Sequence, residues 1–413
     1  MDIASMYKVS ESVEGYPIAG SILPGFEPVL SAFKENFRKR GEIGAACSAF
    51  RGNKLLFDLQ GGYKDKNKAR RWEYDTMACV HSSTKAITAI AMAMAMSRGY
   101  FQLDDRVAAH WPEFAVNGKQ DITIRQILNH SAGLPIVNEP LTLDLLADYD
   151  TLSEILACQN TQWEPGTRHG YHGWTYGMYC NEIMRRTDPK SRSIGCFVRE
   201  EINQRLNEEF YIGLPDSISD DRVANEIVNW RTLVEAVSDS PRTAVLGFIP
   251  KRFQKQSLQV RMLHNPPEVG DLSAFHSRAL RKIELPGGNG IGTARAMAHI
   301  MGVCASGGEV LGLAPEILAE LEKTHPKTGV DERDAVLEGK TTLFQGGCMK
   351  PNSTQQHLIN RPRSYFHFGG GGNLAHADPD TGIGFGYCNN RMGVTVGDVR
   401  SDRLLEVTLK CAN

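Results

Sequence analysis

Residues 81–90, HSSTKAITAI, set a hydroxyl at Ser82 three positions before an amine at Lys85, at the mouth of an apolar run from Ala86 to Met96. Positions three apart on a helix share a face, so the two side chains come within reach of each other. A serine nucleophile needs that arrangement from a lysine base. The run behind them is apolar on every side, which predicts a helix buried in the interior. A lysine at its mouth loses solvation, and its pKa falls toward the range where the neutral amine accepts a proton. The unpaired N–H groups and positive end of a helix N-terminus suit an oxyanion forming on an attacked carbonyl. The plainer alternative is a serine cap with Lys85 reaching out to solvent.

The chain has 413 residues, which predicts one large two-lobed unit or two domains. Hydrophobic residues make up 41% and charged residues 23%, a globular composition. Lys and Arg number 46 against 48 Asp and Glu, with no basic block interleaved with aromatics, so no nucleic-acid partner is expected. The N-terminal MDIASMYKVSESVEGYPIAG lacks the charged-then-apolar order of a secretory signal. The run 86–96 falls short of the roughly 20 residues that cross a bilayer, so the expectation is a cytoplasmic protein without a membrane span. Nine cysteines between Cys47 and Cys411 show no C-x-x-C, which reads as free, mostly buried thiols in a reducing compartment. The twelve histidines include no H-x-H or H-E-x-x-H, only an isolated H-x-x-H at His169 and His172, so no metal is expected.

Residues 27–40 alternate apolar and charged residues at helical spacing and predict an amphipathic surface helix. Two β-rich runs around Arg51-Gly52-Asn53 predict a hairpin. From 81 to about 240 the pattern is helical, with stops at Gly99, Gly133 and Pro165; residues 250–275 have weak periodicity and a proline pair and predict a long connection. Helices are expected over Thr293–Cys304 and Pro315–Lys323, then a meander of antiparallel strands through SYFHF, NLAHAD and GIGFGYCNN. Strands at both chain ends with helices between predict a discontinuous α/β sheet domain, 1–80 and 285–413, interrupted by a mainly helical domain, 81–284, with the site at their interface.

A second S-x-x-K, Ser31 to Lys34, lies in the charged, solvated N-terminal helix and reads as coincidence. The segments YFQLDDRVAAHWPEF…ITIRQILNHSAGLP (100–135), WEPGTRHGYHGWTYG and HFGGGGNLAHADPDTGIGFGYCNN, in that order after Ser82 and Lys85, resemble the serine β-lactamase and penicillin-binding-protein superfamily. The resemblance is strongest to its class C-like branch, which includes the family VIII carboxylesterases and eukaryotic β-lactamase-like proteins, and it runs from about residue 20 to the end. It implies an α+β, β-lactamase/transpeptidase-like fold, an antiparallel sheet flanked by helices with an inserted all-helical domain.

That superfamily uses S-x-x-K, a Tyr or Ser element on a loop, and a K-T-G-like triad on an edge strand. The literal Lys327-Thr328-Gly329 sits in a polar stretch after a helix and reads as a surface loop. His367-Phe368-Gly369 ends a β-rich run before a glycine turn, and is the better match. By resemblance, Gly370 then supplies an oxyanion N–H together with Ser82, and His367 and Gly369 face the substrate. If structural only, Gly369–Gly372 are a tight turn. Tyr179-Cys180-Asn181 spells Y-x-N within a helical pattern whose face packs inward; Tyr171-His172-Gly173, spaced as in the family after PGT, fits better. A phenol there relays protons between Ser82, Lys85 and the leaving group, unless Tyr171 is merely a hydrogen-bonded core residue. His130, in LNHSAGLP, is expected to be a satisfied structural histidine. Gly339-Lys340-Thr341 hints at a phosphate loop, but Asp334 replaces its first glycine and no strand leads into it.

Gly173 stands where β-lactamases carry an amide side chain, and His367 where they carry lysine. A site missing both is expected to bind penicillins and cell-wall peptides poorly and to favour a small neutral ester. The expected enzyme is a serine hydrolase, a carboxylesterase, that forms an acyl-enzyme on Ser82 and needs no cofactor. An acyltransferase using the same acyl-enzyme and a structural, assembling protein are the alternatives; the sequence sets neither the substrate's acyl and alcohol groups nor the number of subunits.

Overall fold

A computed structural model describes residues 6–229, 232, 257–270, 274–324, 333–338, 340–355, 358, 360–393 and 397–412. The chain opens with β1 (Tyr7–Val13) and β2 (Tyr16–Ile22), a hairpin whose Glu14-Gly15 turn has positive φ at both residues. Helix α1 (Glu27–Lys39) carries a proline in its first turn and buries Val29, Phe33 and Phe37, one per turn. β3 (Gly44–Arg51) and β4 (Lys54–Gly62) follow as the expected hairpin. A short β5 (Ala78–Cys79) leads into α2 (Thr84–Ser97), and α3 (Thr175–Thr187), β6 (Phe210–Tyr211), β7 (Ile291–Gly292) and α4 (Ala294–Ala305) come next. The chain closes with β8 (Phe344–Gln345), β9 (Cys348–Met349), β10 (Tyr365–Phe368), β11 (Leu374–Asp378), β12 (Ile383–Asn389) and α5 (Val399–Cys411).

Nine strands form one sheet in the order β1-β2-β4-β3-β12-β11-β10-β9-β8, its strands drawn from both chain ends; β5, β7 and β6 form a second, small one. All named pairs are antiparallel. Strand alternation gives the large sheet two apolar faces. Phe366, Phe368 and Leu374 pack with α1 and α5 on one face, while Tyr365, Ala375 and Ala377 join α2, α3 and α4 on the other. Helix α2 is buried from Thr84 to Met96, as its apolar composition requires. Among the described residues no helix is long and apolar enough to cross a membrane.

The sequence reading names neither the hairpin of β1 and β2 nor α5. β1 and β2 bury only Val9, Val13, Ile18 and Ile22, so their period-two signal is diluted by exposed polar residues. In α5 the buried Leu404, Leu405, Val407 and Leu409 interleave with charges at helical spacing, an amphipathic signal the sequence reading leaves unused. The predicted connection over 250–275 is broken up in its described part by a helix, Leu258–Leu263, and single turns at Pro267–Val269 and Ala274–His276. Residues 250–256 and 271–273, and Lys327-Thr328-Gly329 with its expected surface loop, lie outside the described residues.

Candidate active site

Ser82 occupies the single turn His81–Ser83 that feeds α2. Its N–H belongs to the first turn, where a helix has no acceptor of its own to offer. Tyr171 reaches in from the loop before α3, and its hydroxyl donates to Oγ of Ser82 at 2.6 Å. Lys85, fully buried one turn into the helix, sits with Nζ 3.5 Å from the same oxygen and 4.6 Å above the Tyr171 ring. Its Nζ also donates to the carbonyl of Gly287.

Burial acts on the two groups in opposite senses. It pushes the Lys85 pKa well below that of a free amine, and it raises the Tyr171 phenol well above its ordinary value. Both shifts favour the uncharged forms, amine and phenol. The amine is the group able to accept a proton from Ser82, and the phenol is the group able to donate one.

Tyr171 is held from behind. Its backbone N–H lies 3.0 and 3.1 Å from the two carboxylate oxygens of Asp334, which also accept from Val336 N–H, Leu337 N–H and the Thr342 hydroxyl. The segment 286–290 is pinned to α2 by Thr88, which donates to Pro286, and by Gly290 N–H, which donates to Thr84 Oγ1. Asp334 and Gly287 carry no signal as single residues in the sequence; Asp334 enters there only as the misfit in a phosphate-loop pattern.

β10 closes the other side. The Ser83 hydroxyl donates to the His367 carbonyl at 3.1 Å, tying the strand to the start of α2. A Cβ on Gly369 would run into the Val80 carbonyl and lie 2.9 Å from Ser83 Oγ, so this approach requires glycine. The glycine turn is held rigidly: Gly369 N–H donates to Asn373 C=O, Gly372 N–H donates to Gly369 C=O, and Asn373 Nδ2 donates to Gly370 C=O. Since a trans peptide sends its two polar groups opposite ways, the bond on Gly369 C=O leaves Gly370 N–H facing away from the turn interior. Arg400, itself fully buried between Glu42 and Asp398, donates to Gly371 C=O at 2.8 Å from below.

His367 points off the face opposite Phe366 and Phe368. Its Nδ1 bonds its neighbour's carbonyl, Phe368 C=O, at 2.7 Å, which leaves Nε2 as a bare acceptor. Burial, reinforced by the nearby Lys85, lowers its pKa to about 3. This imidazole is neutral, so it supplies no counter-charge where the family carries lysine. At Gly173 the space is also filled: a Cβ there would lie 2.8 Å from Sδ of Met262.

The second S-x-x-K and the Y-x-N in the helix behave as expected. Ser31 is exposed and bonds Glu27 C=O, while Lys34 pairs with Glu11. Tyr179 and Asn181 are buried in α3, holding Leu156 C=O and Ile194 N–H. His130 is only half satisfied, which corrects the expectation: Nδ1 accepts from His172 N–H at 3.0 Å, but Nε2 has no partner, hemmed in by Phe344 and Tyr176.

The beta-lactamase family model matches residues 31–409. The chain belongs to the beta-lactamase family. The esterase/beta-lactamase LipL of Mycobacterium tuberculosis is 28% identical over 386 residues, covering 92% of this chain and 84% of that one. The crystal structure of a family VIII carboxylesterase superposes with a TM-score of 0.81 at 30% identity, over 95% of this chain and 99% of the other. A penicillin-binding-protein homologue from Caulobacter crescentus gives the same values. The fold is thus the α+β beta-lactamase/transpeptidase-like one, and these findings support a hydrolase built on it.

Proposed function

We propose that this beta-lactamase-family chain is a serine carboxylesterase acting on small neutral esters, without a cofactor, its site lying between the sheet domain (1–80, 285–413) and the helical insertion (81–284). The observation that carries the reading is the convergence of Tyr171 Oη at 2.6 Å and Lys85 Nζ at 3.5 Å on Oγ of Ser82. Ser82 attacks the ester carbonyl while Lys85 takes its proton. The N–H groups of Ser82 and Gly370 hold the oxyanion. Tyr171 donates its proton to the departing alkoxide and is reprotonated from Lys85, leaving the acyl group on Ser82. Water then attacks, its proton passing through the same pair, and the acid leaves. His367, neutral, and Gly173, backed by Met262, give no cation or amide to a penicillin. The names of the relatives, an esterase/beta-lactamase and a carboxylesterase, support an esterase, and the first also names a beta-lactamase.

The test is hydrolysis of short-chain p-nitrophenyl esters with fluorophosphonate labelling located by mass spectrometry, in the native chain, Ser82→Ala and Ser31→Ala. Turnover and label lost only in Ser82→Ala support the nucleophile. A well-folded native chain with neither overturns it. Added alcohols or amines separate transfer from hydrolysis by the products formed.

A further inference from the structure

Directly before the nucleophile, three side chains from separate parts of the chain meet. Cys79 ends β5, His81 begins the turn that carries Ser82, and Glu226 arrives on an extended segment. One thiol sulfur, one ring nitrogen and one carboxylate oxygen lie within 4.8 Å of one another. We propose that Cys79, His81 and Glu226 form a binding site for one divalent cation of borderline softness, such as zinc.

Unsatisfied polarity is the first argument. Nε2 of His81 and Oε1 of Glu226 form an ion pair at 2.6 Å, while Oε2 of Glu226 has no hydrogen-bond partner. The Glu226 side chain is only 5% exposed. A buried carboxylate oxygen left without a partner costs about 1 to 3 kcal/mol, and a cation bound at it removes that cost.

Ligand chemistry is the second. Sulfur, imidazole nitrogen and carboxylate oxygen are the donors zinc accepts, and around one ion they stand about 3 to 4 Å apart. To hold an ion, the His81 and Glu226 atoms, now 2.6 Å apart, open by about an ångström while the Cys79 sulfur, within 4.8 Å of both, closes in. Binding displaces the thiol proton to solvent, after which thiolate and carboxylate carry two negative charges that the dication cancels, with imidazole neutral. Three protein ligands leave a fourth position for water.

The scaffold is the third. Glu226 is flanked by two β-bridges, Met77 with Val223 and Ile227 with Arg391, and β5 is fixed by β7. His81 itself is held at a φ of 46°, a left-handed conformation uncommon for a side chain of its kind. Its side chain, 12% exposed, gives an ion a way in. No local spacing announces this set, because Glu226 is remote from Cys79 and His81 in the sequence, and the expectation of no metal rests on local spacing and ligand counts.

Cobalt(II) tests it on the full chain stripped with a chelator. The expected result is one equivalent bound, with an intense near-ultraviolet thiolate-to-cobalt band that zinc abolishes by displacement. Cys79→Ser loses the band, and the isosteric Glu226→Gln weakens cobalt binding by at least about 100-fold, since even outer-shell changes cost about 10- to 100-fold. Cys158→Ser, at the exposed thiol, leaves both unchanged. No band in the native chain overturns the proposal. So does a band that survives Cys79→Ser or disappears in Cys158→Ser, or cobalt affinity that Glu226→Gln leaves intact. The readout is spectroscopic and independent of whether the chain hydrolyses esters.

Discussion

The hydroxyl of Tyr171 donates to Oγ of Ser82 across 89 residues of sequence, at 2.6 Å. On the proposed mechanism, the phenol is thus already bonded to the oxygen whose proton moves. Tyr171→Phe keeps the ring over Lys85 and deletes only the donor. Its kcat is expected to fall by ~10²- to 10⁴-fold, the range for a positioned acid–base group, with KM little changed. Steady-state kinetics on a p-nitrophenyl ester check this, and an unaltered kcat removes Tyr171 from the mechanism.

The state of Lys85 sets the pH profile. Burial lowers its pKa, so the active neutral amine forms as pH rises through that lowered value. With a neutral substrate, kcat/KM is expected to rise with pH along a single acidic limb and to fall as the amine gains a proton. His367, lowered to about 3, is neutral throughout the working range, so His367→Gln is expected to leave that limb in place. A limb that moves with His367 assigns the titration to the imidazole instead.

Asp334 accepts the Tyr171 N–H and three other donors. Asp334→Ala strands them, at about 1 to 3 kcal/mol for each group left buried and unpaired. A lower thermal midpoint and slower turnover are expected together. Asp334→Asn, which keeps one acceptor oxygen, is expected to recover part of both, as read by thermal unfolding beside an activity assay.

Gly369→Ala sets a methyl against the Val80 carbonyl. Overpacking of this kind costs about 1 to 3 kcal/mol, and here the backbone on both sides carries the site. Hydrolysis is expected to drop more than stability, because relief of the clash moves β10 away from Ser83. Retained activity with a lowered midpoint assigns Gly369 to packing alone.

Gly173→Asn restores the amide type that the superfamily carries, but its Cβ meets the Met262 thioether at 2.8 Å. The single substitution is expected to destabilise without conferring hydrolysis of a chromogenic cephalosporin. Adding Met262→Ala is expected to recover the stability, which a double-mutant cycle measures as coupling between the two positions.

What was legible in the sequence follows from how local each signal is. Ser82 and Lys85 share one helical face, and α2 announces itself by an unbroken apolar run, so a short window suffices. The strands β10 to β12 are bounded by turn residues and read equally well. Tyr171 is separable from Tyr179 because helical spacing turns Tyr179 inward and because Tyr171 follows PGT at the spacing of the superfamily it resembles. Asp334, Gly287 and Arg400 act by bonds to distant backbone, and no periodicity carries such pairings. The short helix Leu258–Leu263 is a single turn and a half, too brief for a hydrophobic period to emerge.

The total burial of α2 has a consequence for how the protein fails under heat. Amide hydrogens of a helix enclosed on all sides exchange only through the largest opening motions, those close to global unfolding. Ser82 and Lys85, held at the start of that helix, cannot fray by themselves. Loss of fluorophosphonate reactivity on warming should therefore coincide with cooperative melting of the whole chain, with no inactive but folded population below the transition.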